Sequence, residues 1–229
     1  MPKTINQGFL DFLNQLTPTT TETQAAKRHR DSIEACLKSN FGLNRFVRIG
    51  SFGNGTSISG HSDVDYLACL PTNQFSQLST YSLTKVRDAL NTRFPNTGVR
   101  VNCPAVAVPF GTKKSETHEI VPADYIRDSN SYKIYNIADC ASGWMNACPD
   151  AHNSYVKSVD EKLGGKVKPL IRFIKAWKYY QNVPISSFYI ELRVAKYFSN
   201  ESTIIYEHDV KSILCWLRDN NLPKIQDPM

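Results

Sequence analysis

Apolar residues recur every three or four positions near the start of the 229-residue chain, where a stripe over residues 5–16 predicts a first helix. Residues 21–38 predict a second helix, which a turn near Gly42 ends. From Arg45 the period changes to two, so residues 45–49 predict a half-buried strand. The pattern therefore indicates helices followed by the beginning of a sheet.

The alternation continues through the middle of the chain. A strand is predicted over residues 63–70, a helix over 83–94, and two further strands over 99–108 and 118–123. After about Arg127 the pattern becomes helical. Apolar stripes at helical spacing then cover residues 163–177, 190–198 and 210–217.

These elements predict an α/β (α+β) fold in two parts. Residues 1–127 would form the N-terminal helices and a core with a mixed β-sheet, and residues 128–229 a helical lobe. A ligand site is expected in the cleft between them.

Composition narrows the class of protein. The chain is 41% hydrophobic, has no run of 18 apolar residues and lacks the apolar core of a signal peptide. A cytoplasmic location without a membrane partner is the default expectation. The formal net charge of +6 suits a polyanionic partner, either a nucleic acid or nucleoside triphosphates.

The six cysteines are scattered without a Cys-x-x-Cys pair or a clustered histidine. Zinc sites in proteins depend on such spacing, so no structural zinc site is expected. In a cytosolic protein we expect these cysteines to be reduced thiols.

Two aspartates carry the first chemical signal. Asp63 and Asp65 lie two apart on a predicted strand, so their side chains project from one face with Cα atoms roughly 6–7 Å apart. Like charges this close are unfavourable unless a cation lies between them. Magnesium, or manganese in its place, is the expected ligand, because hard cations prefer carboxylate oxygens and complete their shell with phosphate oxygens. An isolated Asp-x-Asp is more often a solvated strand edge.

A third carboxylate and a glycine-rich turn favour a metal site over a solvated strand edge. Nucleotidyl transfer uses two cations about 3.5–4 Å apart, and a third carboxylate commonly helps activate the attacking hydroxyl. Glu119 is the first candidate and Asp124 the reserve. Gly50 and Ser51 precede the aspartates, and this turn, with the Thr56 hydroxyl, is suited to contacting phosphates.

These motifs resemble a known superfamily. GSFGNGTSISGHSDVDYLACLP, which starts at Gly50, resembles the hG[GS]…DhDh signature of DNA-polymerase-β-like nucleotidyltransferases, and HEIVPADYI resembles the strand that carries their third carboxylate. LIRFIKAWKYY and SSFYIE resemble motifs shared by oligoadenylate synthases and cGAS/DncV-like bacterial enzymes (CD-NTases). The resemblance implies a polymerase-β-like core with its active site between core and helical lobe.

The resemblance also implies roles for individual residues. Gly50 and Ser51 would bind the donor triphosphate, and Asp63, Asp65 and Glu119 would bind the metal ions, with Glu119 also activating the hydroxyl.

Three residues of the predicted lobe complete the implied site. Lys175 would reach the donor phosphates, Ser187 would contact the nucleotide, and Phe188 would stack on its base. Each has a structural alternative: Lys175 as a solvated edge lysine, Ser187 as a helix cap, and Phe188 as a core aromatic. Trp177 is read as core, and His61 and His152 as surface or loop histidines without a role.

The resemblance favours a bacterial synthase that joins nucleoside triphosphates into a cyclic di- or trinucleotide, whose product activates an effector in antiphage (CBASS) signalling. No long basic tract indicates activation by nucleic acid. Two alternatives stay open: template-independent transfer onto RNA or protein, and a non-catalytic nucleotide-binding module. Residues 225–229 resemble the start of a further segment, so a truncated chain is also expected.

Overall fold

The computed structural model describes residues 4–60, 63–111 and 116–224 as a mixed α/β protein, so the predicted fold class is confirmed. His61 and residues 225–229, on which the sequence gives expectations, lie outside the described residues. The described helices are α1 (Ile5–Leu16), α2 (Thr20–Phe41), α3 (Gly50–Asn54), α4 (Ser79–Arg93), α5 (Pro149–Lys162), α6 (Val167–Tyr180), α7 (Ser187–Phe198) and α8 (Tyr206–Asp219). The described strands are β1 (Arg45–Arg48), β2 (Val64–Leu70), β3 (Arg100–Asn102), β4 (Ala105–Phe110), β5 (Glu116–Ser129), β6 (Tyr132–Ala138) and β7 (Trp144–Ala147).

The chain divides into two compact units that interleave in sequence. The first, here called the sheet unit, comprises Thr20–Gly50 and Asp63–Asp150. The second, the helical unit, comprises the described parts of Met1–Thr19, Ser51–Ser62 and Ala151–Met229. This division does not coincide with the single boundary expected after residue 127.

The sheet unit is organised around β5. The strand order is β1-β2-β5-β4-β3, and β6 pairs with β5 and β7. β2 and β5 are parallel, and every other pair described is antiparallel. Because side chains alternate between the faces of a strand, Asp65, Leu67 and Cys69 lie on one face and Tyr66 on the other. Leu67 and Cys69 pack there against Ala123 of β5.

The segment after Arg127 differs from the prediction, since it continues the sheet before the helices begin. Asn130 and Ser131 have φ of 47° and 69°, the left-handed conformation of a tight hairpin turn, and they join β5 to β6. Residues 128–150 therefore stay with the sheet. The predicted strand over 99–108 is likewise two strands, β3 and β4, which pair with each other.

The helical unit has its own apolar core, to which α1, α5, α6, α7 and α8 contribute. From α1, Phe9 and Phe12 pack on Phe173 of α6 with ring centroids 5.2 and 5.9 Å apart. Trp177 packs against this core, in agreement with the sequence reading. Each described helix is too short or too polar to traverse a lipid bilayer.

The expectation that every cysteine is a reduced thiol is wrong for two of them. Cys103 lies in the β3–β4 turn and Cys140 in the β6–β7 connection, and they form a disulfide with Cα atoms 5.6 Å apart. The sheet brings together residues 37 apart in sequence, which spacing alone could not show. The other four cysteines, Cys36, Cys69, Cys148 and Cys215, do not take part in a disulfide.

Candidate active site

The three predicted carboxylates come together at one end of β2 and β5 in the sheet unit. Asp65 is the direct partner of Glu119 in the parallel ladder, and neighbouring strands lie about 4.8 Å apart. The two side chains also interact through a hydrogen bond. Asp63 precedes β2 by one residue and is close enough for its charge to raise the pKa of Glu119. The structure thus brings the three carboxyl groups close together.

Gly50 closes one side of this carboxylate group. Its φ is +58°, in the left-handed region that favours glycine. A Cβ atom at this position would lie 2.1 Å from Oδ2 of Asp65, so a larger side chain would have to displace that carboxylate. The β1 end is held beside β2 by the Ile49 amide, which donates to the Asp65 carbonyl at 2.9 Å. Ser51 follows within α3, where the sequence led us to expect only a loop.

Two polar residues of β3 act on the carboxylates, and sequence reasoning missed both. Asn102 donates from Nδ2 to Oε1 of Glu119 at 2.5 Å. The Arg100 guanidinium lowers the pKa of Asp63 and of Glu119 by its charge. Both belong to a short exposed edge strand, so no local pattern marked them.

The surroundings of two of these carboxylates disfavour their ionised forms. Burial raises the pKa of Asp63 above its ordinary value, although Arg100 and a hydrogen bond from Thr117 oppose this. Burial also raises the pKa of Glu119, and the charge of Asp63 adds to the increase. Partly desolvated carboxylates that repel one another are the ligand set that a hard divalent cation stabilises. The residues present therefore fit magnesium.

The reserve candidate, Asp124, does not join this group. It pairs with Leu70, at the far end of β2 from Asp65, five residues along β5 from Glu119. At about 3.3 Å per residue the two carboxyl-bearing positions are roughly 16 Å apart. The Asp124 carboxylate instead accepts a hydrogen bond from the Thr72 hydroxyl at 2.8 Å. Placement therefore favours Glu119 as the third carboxylate.

The predicted phosphate ligands Thr56 and Lys175 occupy a different environment, the interior of the helical unit. Both are 0% exposed. The Lys175 ammonium donates to the Thr56 hydroxyl at 3.0 Å and to the Glu191 carboxylate. Thr56 also donates to Glu191 at 2.5 Å, and Asn54 donates to it at 2.6 Å. Glu191, which sequence reasoning did not single out, is thus the centre of a buried polar network.

His152 also contacts Glu191, with Nε2 3.1 Å from Oε2, so it is not the surface histidine that we expected. Burial alone would raise the pKa of Glu191, but the Lys175 charge and the His152 hydrogen bond outweigh burial and hold this pKa well below its ordinary value. A carboxylate with this many donors stays ionised. The network links α3 and the segment after it to α6 and α7.

In this arrangement Lys175 and Thr56 are directed into the protein rather than to solvent. The sequence signal that could have indicated this is the position of Lys175 four residues after Ile171, on the apolar stripe of α6. Their hydrogen bonds support the Ser51 segment from within the helical unit. The Ser51 carbonyl accepts from the Thr56 amide at 2.8 Å, which connects the serine to this support.

A more accessible lysine lies one helical turn further along α6. Lys178 is half-buried and donates from Nζ to the Ser187 hydroxyl at 3.1 Å. Burial lowers its pKa, and the charge of Lys175 contributes. Ser187 does not cap α7, because Ser186 does so by accepting from the Tyr189 amide at 3.1 Å. Sequence reasoning overlooked Lys178, although it follows directly after the Lys-Ala-Trp motif.

Phe188 is 45% exposed, so the second interpretation of this residue, as an aromatic of the apolar core, does not apply. Its ring meets the edge of His152 with centroids 4.7 Å apart. An exposed aromatic beside the Lys178–Ser187 pair is suited to stacking on a nucleobase.

Comparison with known proteins agrees with the fold and the motifs. The SMODS family, described as the Second Messenger Oligonucleotide or Dinucleotide Synthetase domain, matches residues 3–160. The cyclic AMP-AMP-AMP synthase of an Acinetobacter strain is 24% identical over 261 residues, which cover 98% of this chain and 70% of that protein. A probable cyclic nucleotide synthase of Bacillus cereus is 25% identical over 244 residues, covering 88% and 73% respectively.

The fold also matches solved structures. The CdnE cyclic dinucleotide synthase of Elizabethkingia meningoseptica, solved with GTP and Apcpp, superposes with a TM-score of 0.74 at 19% identity, over 99% of this chain and 89% of that one. The family match covers well over half of the sequence and includes Gly50, Asp63, Asp65 and Glu119. With these carboxylates assembled beside the Gly50 turn, the chain belongs to the SMODS family of nucleotidyltransferases.

Proposed function

We propose that this chain joins nucleoside triphosphates into a cyclic di- or trinucleotide, with release of pyrophosphate, in a reaction that depends on magnesium. The observation that carries the proposal is the convergence of Asp63, Asp65 and Glu119 beside the Gly50 turn. A binding module without catalysis has no need to keep three partly buried carboxyl groups together.

Asp63 and Asp65 would hold the magnesium ion. When bound, the ion supplies positive charge to the phosphate oxygens and lowers the pKa of the attacking hydroxyl. Glu119 would accept the hydroxyl proton, a role that its raised pKa favours because a general base works best near the operating pH. The Asn102 amide occupies Oε1 of Glu119 and would orient the carboxylate.

Further residues of each unit are proposed to contact the donor nucleotide. Gly50 lets the turn pack closely against Asp65, and the backbone amides of this turn, with the Ser51 hydroxyl, would donate to phosphate oxygens. Lys178 and Ser187 present an ammonium and a hydroxyl 3.1 Å apart, which suits phosphate oxygens. Phe188 would stack on the base.

The cyclic product is inferred from the family and from the names of the relatives. The Acinetobacter relative is a cyclic AMP-AMP-AMP synthase, and the matched Elizabethkingia structure is a cyclic dinucleotide synthase with GTP bound. ATP, GTP or pyrimidine triphosphates would be the substrates of this chain. We also propose that the product acts as a second messenger on an effector in antiphage (CBASS) signalling within the cytoplasm.

Product analysis tests the proposal. The purified protein is incubated with magnesium and labelled ATP, GTP, CTP and UTP without nucleic acid, then treated with phosphatase and resolved by chromatography and mass spectrometry. Phosphatase-resistant cyclic species are expected. In parallel reactions supplied with RNA or a second protein, label that appears only in that acceptor would identify a transferase of the alternative class. Pyrophosphate release without any transfer would contradict both.

Two variants make this test specific to the site. Asp65→Asn removes one ligand charge with little change in shape and is expected to abolish the product. Asp128→Asn makes the same change on an exposed part of β5, where the carboxylate pairs with Lys133, and should retain activity. If both variants kept the activity, the carboxylate group would not be the active site.

A further inference from the structure

A second group of potential metal ligands lies in the sheet unit, outside the proposed active site. His29 of α2 and Glu116 and His118 of β5 place their ligand atoms within 4.8 Å of one another. His29 Nδ1 is 2.8 Å, and His118 Nε2 is 2.7 Å, from the same Glu116 oxygen, Oε1. Two imidazoles and a carboxylate therefore converge on one point.

Aromatic packing fixes the orientation of both imidazoles. The His29 ring lies parallel to Phe110 with centroids 3.9 Å apart and an interplanar angle of 3°. The His118 ring is parallel to Tyr66 at 5.7 Å and meets Phe110 edge-on at 5.4 Å. The ring nitrogens are thus directed before any ligand arrives, which lowers the conformational entropy lost on binding.

The group is separate from the proposed catalytic carboxylates. Glu116 and His118 are two apart on β5 and share a face, whereas Glu119 lies on the opposite face. Among the described residues, the ion-pair partners of Glu116 are the two histidines. The cluster is also open on one side, because the His29 side chain is 33% exposed and that of Glu116 is 19% exposed, while that of His118 is fully buried.

We propose that His29, Glu116 and His118 bind a zinc ion that joins α2 to β5. Imidazole nitrogen and carboxylate oxygen are ligands that zinc prefers, whereas magnesium selects oxygen alone. On binding, the two ring nitrogens and the carboxylate exchange their present hydrogen bonds for bonds to the ion, with each ring proton on its other nitrogen. Three protein ligands leave a fourth position for water.

Cysteine spacing, on which the sequence-based exclusion of zinc rested, does not reveal this site. His29 is 87 residues from Glu116 in sequence, and only the packing of α2 on the sheet brings them together. The site does not depend on the proposed transferase activity, so each can fail without the other.

Zinc binding by the full chain tests the proposal. EDTA-treated, dialysed protein is titrated with zinc chloride by calorimetry, with excess magnesium present to occupy the Asp63 and Asp65 carboxylates. One zinc per chain is expected, and saturation should raise the Tm by roughly 5–10 °C at a zinc concentration 100 times the Kd. His29→Gln and Glu116→Gln each should weaken binding roughly 100-fold or more, since each removes a direct ligand.

The variants are chosen so that misfolding cannot imitate loss of the site. His29 and Glu116 are both partly exposed, and the Tm without zinc checks that each variant folds. His208→Gln, at an exposed histidine of α8, is the matched control and should bind zinc as the wild type does. Absence of saturable binding in the wild type, or equal affinity in His29→Gln and Glu116→Gln, would show that the cluster is only hydrogen-bonded and would overturn the proposal.

Discussion

The buried pair of Lys175 and Glu191 gives a quantitative prediction, because the two side chains are fully enclosed and oppositely charged. Lys175→Met keeps most of the side-chain volume and removes the ammonium. Glu191 would then remain ionised and buried, with Asn54, Thr56 and His152 as its remaining partners. We expect a large loss of stability.

The magnitude follows from the burial of both partners. Removing one member of a buried ion pair costs about 3–5 kcal/mol, because the other charge is left uncompensated. The remaining donors to Glu191 place this case near the lower end, at about 3 kcal/mol. For a protein of this size that corresponds to a decrease in Tm of roughly 6–12 °C.

The assay is urea and thermal unfolding of Lys175→Met, Glu191→Gln and the double variant. Because the double variant leaves no unpaired charge, it should be more stable than the sum of the single effects predicts, with a coupling energy of about 1–3 kcal/mol. Lys178→Met is the matched control on the same helix. The Lys178 ammonium is half-buried and donates to the partly solvated Ser187 hydroxyl, so Lys178→Met should lower the free energy of unfolding by about 1 kcal/mol.

The reasoning would be refuted by a stable Lys175→Met protein with a raised KM for nucleoside triphosphates. That result would mean that Lys175 contacts the substrate, as the sequence motif alone suggests. The account instead predicts that the Lys175 variant loses stability and that the Lys178 variant loses substrate affinity.

Three further predictions concern the site itself. Gly50→Ala should displace Asp65 and lower the rate of pyrophosphate release. Gly164 has a similar φ of +63°, but no atom lies within 4 Å of an added Cβ. Gly164→Ala should therefore lower the free energy of unfolding only by the backbone cost of about 1–2 kcal/mol. Lys178→Met should raise KM for the donor roughly tenfold while changing kcat less, since it removes about one charged hydrogen bond of 1.5 kcal/mol, and steady-state kinetics at varied triphosphate check this. The raised pKa of Asp63 means that, without metal, the Asp63 carboxyl keeps its proton to a higher pH in the folded protein than in the unfolded chain. The free energy of unfolding therefore falls as the pH rises above the ordinary pKa of 3.8. Asp63→Asn should have a higher Tm than the wild type at pH 7 in EDTA, and thermal scans below pH 3.8 should show no difference.

Local sequence patterns could predict those features of the carboxylate group that are determined by residues close together in the chain. A period of two predicts that Asp65 of β2 and Asp63, directly before the strand, project to the same side, and the glycine before them permits the turn against Asp65. The choice between Glu119 and Asp124 as the third carboxylate required the register of β2 with β5, which the sequence alone does not give.

The remainder depends on contacts between distant residues. Lys175 is buried because Glu191, on another helix, compensates its charge, and the apolar stripe of α6 does not reveal that partner. Asn102 reaches Glu119 only because β3 and β4 fold back beside β5. The disulfide between Cys103 and Cys140 likewise depends on strand pairing that brings together residues 37 apart in sequence. Tertiary pairing, rather than local propensity, determined these features.

The most direct measurement is a crystal structure with manganese and a non-hydrolysable nucleoside triphosphate, with the metal located by anomalous scattering. The account predicts an anomalous peak bound by carboxylate oxygens of Asp63 and Asp65 and by phosphate oxygens of the ligand, with the Glu119 carboxylate adjacent. A triphosphate bound elsewhere, or a peak that none of these three carboxylates contacts, would contradict it.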